Sequence, residues 1–421
     1  MAVPYMPRLA DSYLDERLEY AGAVLIEGVK WCGKTRTAKE KAASVVSLQD
    51  SKNATSYQKI MDTEPSVLLE GATPRLIDEW QVAKEVWNAI KYEVDERGEP
   101  GQFIITGSSA PDDDQYRHSG AGRISRMIMR PMSLFESMES NGSVSMRDLL
   151  DRGQKISGHS DLTIRDLSSA LVRGGWPALM GMSEKASMRM VQDYVESIVN
   201  TDISKVDGVQ RSPVTTRQLL RSLSRNISTP ANMSTIRKDM MGDDDKISEK
   251  TVSSYIGALR RMFVVEDVPA WNPSLRSKTA VREAPKRHFV DPSLATAVMR
   301  ISPRALLEDF NTFGLLFESL CVRDLRVYSQ VLDGEVFHYR DSYGLEADAV
   351  VHFRDGRWGA VEVKLGSKEI EKGINNLKKL RDSVDSDRMS PPSFLMVLTA
   401  AEYAYEDKDG VFVVPIGCLR D

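Results

Sequence analysis

Apolar positions in the first hundred residues fall in short runs rather than in a helical stripe. AVLIEG (23 to 28) is closed by glycine, VVSL (45 to 48) is a second run, PRLIDEW (74 to 80) a third and QFIITGSS (102 to 109) a fourth. Such runs, bounded by Gly, Pro or charge, predict buried strands. Between them, Lys34 to Lys41 predicts one helix. VAKEVWNAIKYEVDER (82 to 97) predicts another, with Val82, Val86, Ile90 and Val94 on one face. A short helix is expected before Tyr20. Strands alternating with helices predict a parallel sheet.

The pattern then changes. Residues 145 to 205 predict helices, with a turn at GGWP (174 to 177). From 207 to 272 the helical segments are short: LLRSLSRN, STIRKDM after the Ser228-Thr229-Pro230 break, and SEKTVSSYIGALRRM, where Val252, Tyr255, Ile256, Leu259 and Phe263 recur at helical spacing. FVVEDV follows as a strand, and three short helices with a ribbon predict a winged helix. A basic connector (Arg276, Lys278, Arg282, Lys286, Arg287) leads into a last region with a helix in FGLLFESLCVRDLRVYSQ (313 to 330). Strands EVFHYR, LEADAVVHF and WGAVEVK, a helix after Ser367 and a strand in PSFLMVL complete it. At 421 residues the chain exceeds one core. The expected division is 1–206, 207–284 and 285–421.

Composition narrows the classes. Hydrophobic residues at 41% and charged residues at 28% are those of an ordinary soluble protein. A formal net charge of -5 gives no global basic field, so nucleic-acid contact must come from local Lys/Arg patches. Three cysteines lie far apart without a CxxC pair, which fits a reducing cytoplasm. The five histidines show no metal-ligand spacing, so zinc is not expected. The first twenty residues carry acids and no apolar core, and no stretch approaches eighteen apolar residues, so neither export nor membrane insertion is expected.

The chemistry concentrates in GVKWCGKT (28 to 35), a full match to G-x-x-x-x-G-K-[ST] between an apolar strand and a helix. Gly28 and Gly33 let the backbone curl. The amides of Lys30, Trp31, Cys32, Gly33 and the helix start through Arg36 then face phosphate oxygens. Lys34 neutralises the β and γ phosphates, and Thr35 gives its hydroxyl to Mg²⁺. Asp78 and Glu79 end a buried strand, where the first carboxylate orders Mg²⁺ and the second polarises the attacking water. Thr106, Ser108 and Ser109 are candidates for the γ phosphate or the water. Arg123, Arg126 and Arg130 are candidates for stabilising charge on the γ oxygens, in the same chain or across a homo-oligomer, with a solvent-facing strand as the alternative.

YMPRLADSYLDERL, GVKWCGKT, LIDEWQ, FIITGSS and SGAGRISRMIMRPMSLFE together resemble the AAA-type ATPase domain of a widespread group of bacterial and archaeal ATP-binding proteins. The resemblance implies an α/β P-loop NTPase sheet with ATP and Mg²⁺ as cofactors. It also implies a following winged-helix segment and an uncharacterised C-terminal domain, matched by VDPSLATAVM, FGLLFESLCVRDL and the EVK stretch. That last domain resembles the PD-(D/E)XK, restriction-endonuclease-like fold. Its pattern assigns Glu318, Asp348 and Glu362 to Mg²⁺ and Lys364 to the attacking water, with Glu346 as a competing ligand. Two functions are expected as alternatives. One is an ATPase whose nucleotide state controls a nuclease-like domain acting on DNA or other nucleic acid. The other is an ATP-driven switch binding protein partners, with an inactive nuclease-like scaffold.

Overall fold

The four apolar runs lie side by side in a computed structural model of the chain, which describes residues 4–83, 85–109, 120–151, 155–241, 247–273, 284–385 and 389–421. Two units are distinguished, Met1–Pro131 with Arg261–Phe263 and Met132–Arg260 with Val264–Asp421.

The first unit runs α1 (Leu9–Tyr20), β1 (Ala23–Glu27), α2 (Lys34–Lys41), β2 (Ser44–Ser47), α3 (Ala54–Thr63), β3 (Arg75–Asp78), α4 (Val86–Arg97), β4 (Phe103–Gly107) and β5 (Ile124–Ile128). Its sheet has the order β2-β3-β4-β1-β5, and every pairing is parallel. β1 and β4 are buried along their whole length, because a parallel sheet is covered on both faces and its strands read as continuous apolar runs. Trp80, Trp87, Ile90 and Val94 pack against Leu25, Ile77 and Ile105 in one core. Val82 corrects the expectation: it precedes α4 in a 3₁₀ turn, Trp80–Val82, and is 52% exposed, so only Val86, Ile90 and Val94 form the buried face.

The second unit opens with β6 (Val144–Ser145), α5 (Met146–Asp151), β7 (Gly158–His159), α6 (Ile164–Arg173), α7 (Glu184–Ser197) and α8 (Ile203–Lys205), so the stretch expected to be helical also carries two short strands. Next come α9 (Pro213–Arg225), α10 (Met233–Met240) and α11 (Glu249–Arg261), then an antiparallel ribbon of β8 (Val265–Val268) and β9 (Lys286–Phe289). The helix starts are written in sequence: Ser212 and Asn232 cap α9 and α10 by accepting from Thr215 N and Thr235 N. Val252, Ile256 and Leu259 are buried on α11, whereas Phe263 lies past its end with φ 57 and is not part of that face.

The remainder is α12 (Pro292–Met299), α13 (Pro303–Glu308), α14 (Phe310–Gln330), β10 (Gly334–Arg340), β11 (Glu346–Phe353), β12 (Trp358–Lys364), α15 (Ile370–Ser383), β13 (Phe394–Thr399), β14 (Tyr403–Glu406), β15 (Phe412–Pro415) and β16 (Leu419–Arg420). A mixed sheet takes the order β10-β11-β12-β13-β15-β14-β7. β10, β11 and β12 are antiparallel neighbours, and β13 joins β12 in parallel after α15. The basic connector is not a solvated linker where it is described: Lys286 and Arg287 lie on β9 and are buried, because carboxylates receive them. Arg276, Lys278 and Arg282 lie outside the described residues.

Candidate functional site

Two constellations stand out, one in each unit. In the first, β1 ends at Gly28 with φ +152, where an added Cβ would sit 2.1 Å from Met129 O, so the close backbone approach requires glycine. Gly33, in the left-handed region at φ 109, forms the N-cap of α2. The loop between them thus leads into the N-terminus of α2, where the helix dipole favours an anion, although the Arg36 amide, expected to face phosphate, donates to Gly33 O at 2.9 Å. Lys34 is 5% exposed and donates to Gly28 O and Val29 O, each at 2.9 Å.

The strand-end carboxylate is held against this loop. Asp78 Oδ1 accepts from Thr35 Oγ1 at 2.7 Å and from Thr106 Oγ1 at 2.7 Å, and its Oδ2 accepts from Ser47 Oγ at 3.3 Å. Glu79 follows in the left-handed region at φ 60, a costly conformation for a non-glycine residue, and its amide donates to Thr106 Oγ1 at 3.1 Å. Its Oε2 accepts from Gln81 Nε2 and, at 3.5 Å, from Ser108 Oγ. Thr35, Asp78, Thr106, Glu79 and Ser108 are therefore one connected group, and the Lys34 ammonium is bonded instead to the loop carbonyls.

The arginines are placed differently. Arg123 Nε bonds both oxygens of Asp95, at 2.7 and 2.8 Å, on an exposed surface. The Arg126 guanidinium lies 6.0 Å from the Trp87 ring, and Arg36 pairs with Glu40 at 3.1 Å. Sequence reasoning missed Arg8 as a residue with a task. It is 6% exposed and donates to Cys32 O at 2.9 Å and Arg130 O at 2.8 Å, pinning the loop to the strand end beyond β5. Tyr5 adds a hydrogen bond to Thr37 Oγ1 at 2.9 Å and one to Asp11, with its hydroxyl pKa raised by burial and by Asp11. The available signal was YMPRLADSYLDERL, which matched without a stated role.

In the second unit, five residues alternate in charge. Lys286 Nζ lies 2.8 Å from Glu318 Oε1 and 3.5 Å from Asp348 Oδ1; Lys364 Nζ lies 3.5 Å from Asp348 Oδ2 and is paired with Glu362 Oε2 at 2.5 Å. Val363 N also donates to Asp348 Oδ2 at 2.8 Å. The structure thus brings Glu318, Asp348, Glu362 and Lys364 together, while Glu346 turns away to Arg340 at 3.1 Å. Burial first, then the Asp348 carboxylate, pushes Glu318 up to about 8 and Glu362 up to about 7. Asp348 is lowered: burial opposes its charge, but Lys286, Lys364 and the Val363 amide outweigh it. Burial likewise opposes the charge of Lys286, yet Glu318 and Asp348 raise its pKa. Among the described residues no group of three His, Cys, Asp or Glu side chains is arranged to hold a metal ion. Glu318, Asp348 and Lys364 line a cleft of about 980 Å³, whose rim carries Phe310, Tyr403 and Tyr405.

Several other quoted motifs build a joint rather than a site. Arg323 Nη1 meets Asp291 Oδ2 at 2.8 Å and Arg323 Nε meets Asp324 Oδ1 at 2.8 Å, all fully buried. Asp291 Oδ2 accepts from Gly175 N at 2.9 Å, Asp324 Oδ2 from Leu134 N at 3.0 Å, and Ser293 Oγ from Trp176 Nε1 at 2.9 Å. The SLFE, GGWP, VDPSL and CVRDL stretches thus meet in one polar network inside the second unit.

Residues 21–138 match the AAA domain family, 164–305 a domain of unknown function (DUF8612) and 313–419 a domain of unknown function (DUF4143). The chain is 23% identical over 365 residues to the uncharacterized proteins Mb2031c of Mycobacterium bovis and Rv2008c of Mycobacterium tuberculosis, covering 85% of this chain and 73% of each relative. Among solved structures it is similar to the Walker-type ATPase PABY2304 of Pyrococcus abyssi, at 16% identity and TM-score 0.44 over 70% of this chain and 96% of that one. It is also similar to the Aeropyrum pernix ORC1 protein in complex with DNA, at 15% identity and TM-score 0.28 over 73% and 93%. The protein is a P-loop ATPase in which the stretch matching the AAA domain family, 21–138, carries the parallel sheet. No helix among the described residues is long and apolar enough to cross a membrane.

Proposed function

We propose that this protein binds and hydrolyses ATP at the loop from Gly28 to Arg36 and that its nucleotide state controls a C-terminal, PD-(D/E)XK nuclease-like domain that engages nucleic acid. The observation that carries the reading is the 2.7 Å hydrogen bond from Thr35 to Asp78, which joins the loop to the strand-end carboxylate. A hydroxyl and a carboxylate beside a lysine and an anion-binding helix start fit Mg²⁺ with a triphosphate. The metal would neutralise phosphate oxygens there. Lys34 would hold the β and γ phosphates, the amides of Lys30, Trp31, Cys32 and Gly33 would cradle them, and Glu79 would orient the attacking water with help from Ser108. Arg123 or Arg126 would act on a neighbouring copy in a homo-oligomer.

The three-part division 1–206, 207–284 and 285–421 remains part of this reading. α9, α10, α11 and β8 support a winged helix, although the partner strand of its ribbon, β9, begins just past residue 284. The order α14-β10-β11-β12-α15-β13, with Glu318 on the helix, Asp348 on β11 and Glu362 and Lys364 on β12, supports the nuclease-like domain. A phosphate-release titration with and without DNA tests the coupling: stimulation of turnover by nucleic acid is expected, and a flat response overturns it.

One observation favours the second reading, an ATP-dependent switch that binds protein partners through an inactive scaffold. The three carboxylates expected to hold Mg²⁺ are paired with Lys286 and Lys364, so this donor set does not fit a divalent ion. Mg²⁺-dependent cleavage that disappears in Asp348→Ala and Lys364→Ala while ATP binding persists would restore the cutting function.

A further inference from the structure

We propose that the Lys286 ammonium is the built-in cation of the Glu318–Asp348–Glu362 cluster, standing where a nuclease of this pattern would place a divalent metal and keeping the site metal-free. The inference rests on reading Glu318, Asp348, Glu362 and Lys364 as the nuclease-like constellation, and it deepens that reading by naming what neutralises the acids.

The geometry argues it. A buried carboxylate is tolerated if it is protonated, paired or bound to metal. Here the pairing is supplied from the chain, in the sequence Glu318, Lys286, Asp348, Lys364, Glu362, each acid flanked by an ammonium. Both oxygens of Asp348 are engaged, Oδ1 by Lys286 and Oδ2 by Lys364 and Val363 N. A divalent ion reaching Asp348 and Glu318 together must displace Lys286, whose side chain is 8% exposed and comes from β9, outside the strands that carry the acids. A displaced ammonium left buried beside a dication would be repelled by it. Lysine also differs from magnesium in function: it neutralises charge but does not coordinate and acidify a water as a bound metal does. The acids so paired are neutralised from within the chain, without a metal to activate water.

Mn²⁺ titration of the full chain without nucleotide, followed by electron paramagnetic resonance, tests this. The wild-type chain is expected to show no saturable site that depends on Asp348. Lys286→Gln should gain one, and adding Asp348→Asn to Lys286→Gln should weaken Mn²⁺ binding by about tenfold or more. Wild-type Mn²⁺ binding that is lost in Asp348→Asn overturns the proposal, and this comparison stands even where Lys286→Gln does not fold. A folded Lys286→Gln chain that binds no Mn²⁺ also overturns it. Failure of the ATP reading would appear instead as absent nucleotide binding, which this nucleotide-free titration leaves untouched.

Discussion

Thr35 and Asp78, 43 residues apart, are joined by a 2.7 Å hydrogen bond that fixes the start of α2 against the end of β3. Lys34 is the neighbouring cation, and its present acceptors are two loop carbonyls. Lys34→Ala should weaken ATP binding by roughly 2–3 kcal/mol, about a hundredfold in Kd, because a charge-assisted contact is lost. Calorimetry reads this directly, and unchanged affinity would overturn the loop assignment.

Glu79 is separable from binding. Its left-handed backbone and its contacts with Gln81 and Ser108 position the carboxylate rather than the loop. Glu79→Gln should keep ATP affinity and lower turnover by about 10²–10⁴-fold, the range for a general base. Steady-state phosphate release alongside a binding isotherm distinguishes this from a folding defect.

Arg8 is expected to matter for both stability and nucleotide. Arg8→Ala removes donors from the buried Cys32 O and the partly buried Arg130 O, at a cost of about 2–4 kcal/mol. A lowered melting temperature with weaker ATP binding is predicted. Weaker binding should persist below the melting transition, because the loop itself loses its tether.

The joint in the second unit gives a sharper stability test. Arg323→Met leaves Asp291 and Asp324 buried without their cation and should cost about 3–5 kcal/mol in urea unfolding. Adding Asp291→Asn and Asp324→Asn should recover much of that loss, since the penalty comes from unpaired charge.

His338 predicts a pH dependence. Burial, then the charge of Lys286, lowers its pKa from 6.5 to about 4. Between these values the unfolded chain binds more protons than the folded one. The stability contributed is therefore present above pH 6.5 and lost as pH falls toward 4. The stability gap between wild type and His338→Gln should narrow over that window in urea melts at several pH values, and a constant gap would contradict the assignment.

Much of the first unit was legible in sequence, for a physical reason. Strands buried on both faces must be apolar throughout, so β1 and β4 announce themselves, and a carboxylate closing such a run, as Asp78 does, is conspicuous. Val82 misled because helical spacing continues backwards across a turn that the chain uses to reorient. Arg8 was illegible because its acceptors are carbonyls 24 and 122 residues away, and carbonyls have no sequence signature. Lys286 read as part of a basic linker because the acids that bury it lie 32 and 62 residues downstream. Local pattern records burial and periodicity, whereas pairing across the fold is recorded only in the assembled chain.

The polar joint around Arg323 has a consequence for dissecting the protein. Its members come from Leu134, Gly175, Asp291 and the CVRDL helix, so they straddle the limits of the three family matches. Excising residues 313–419 would carry away Arg323 and Asp324 and strand Asp291 behind, opening an ionic wound in both fragments. The family limits cut through this network, and truncations should be drawn to leave that knot whole.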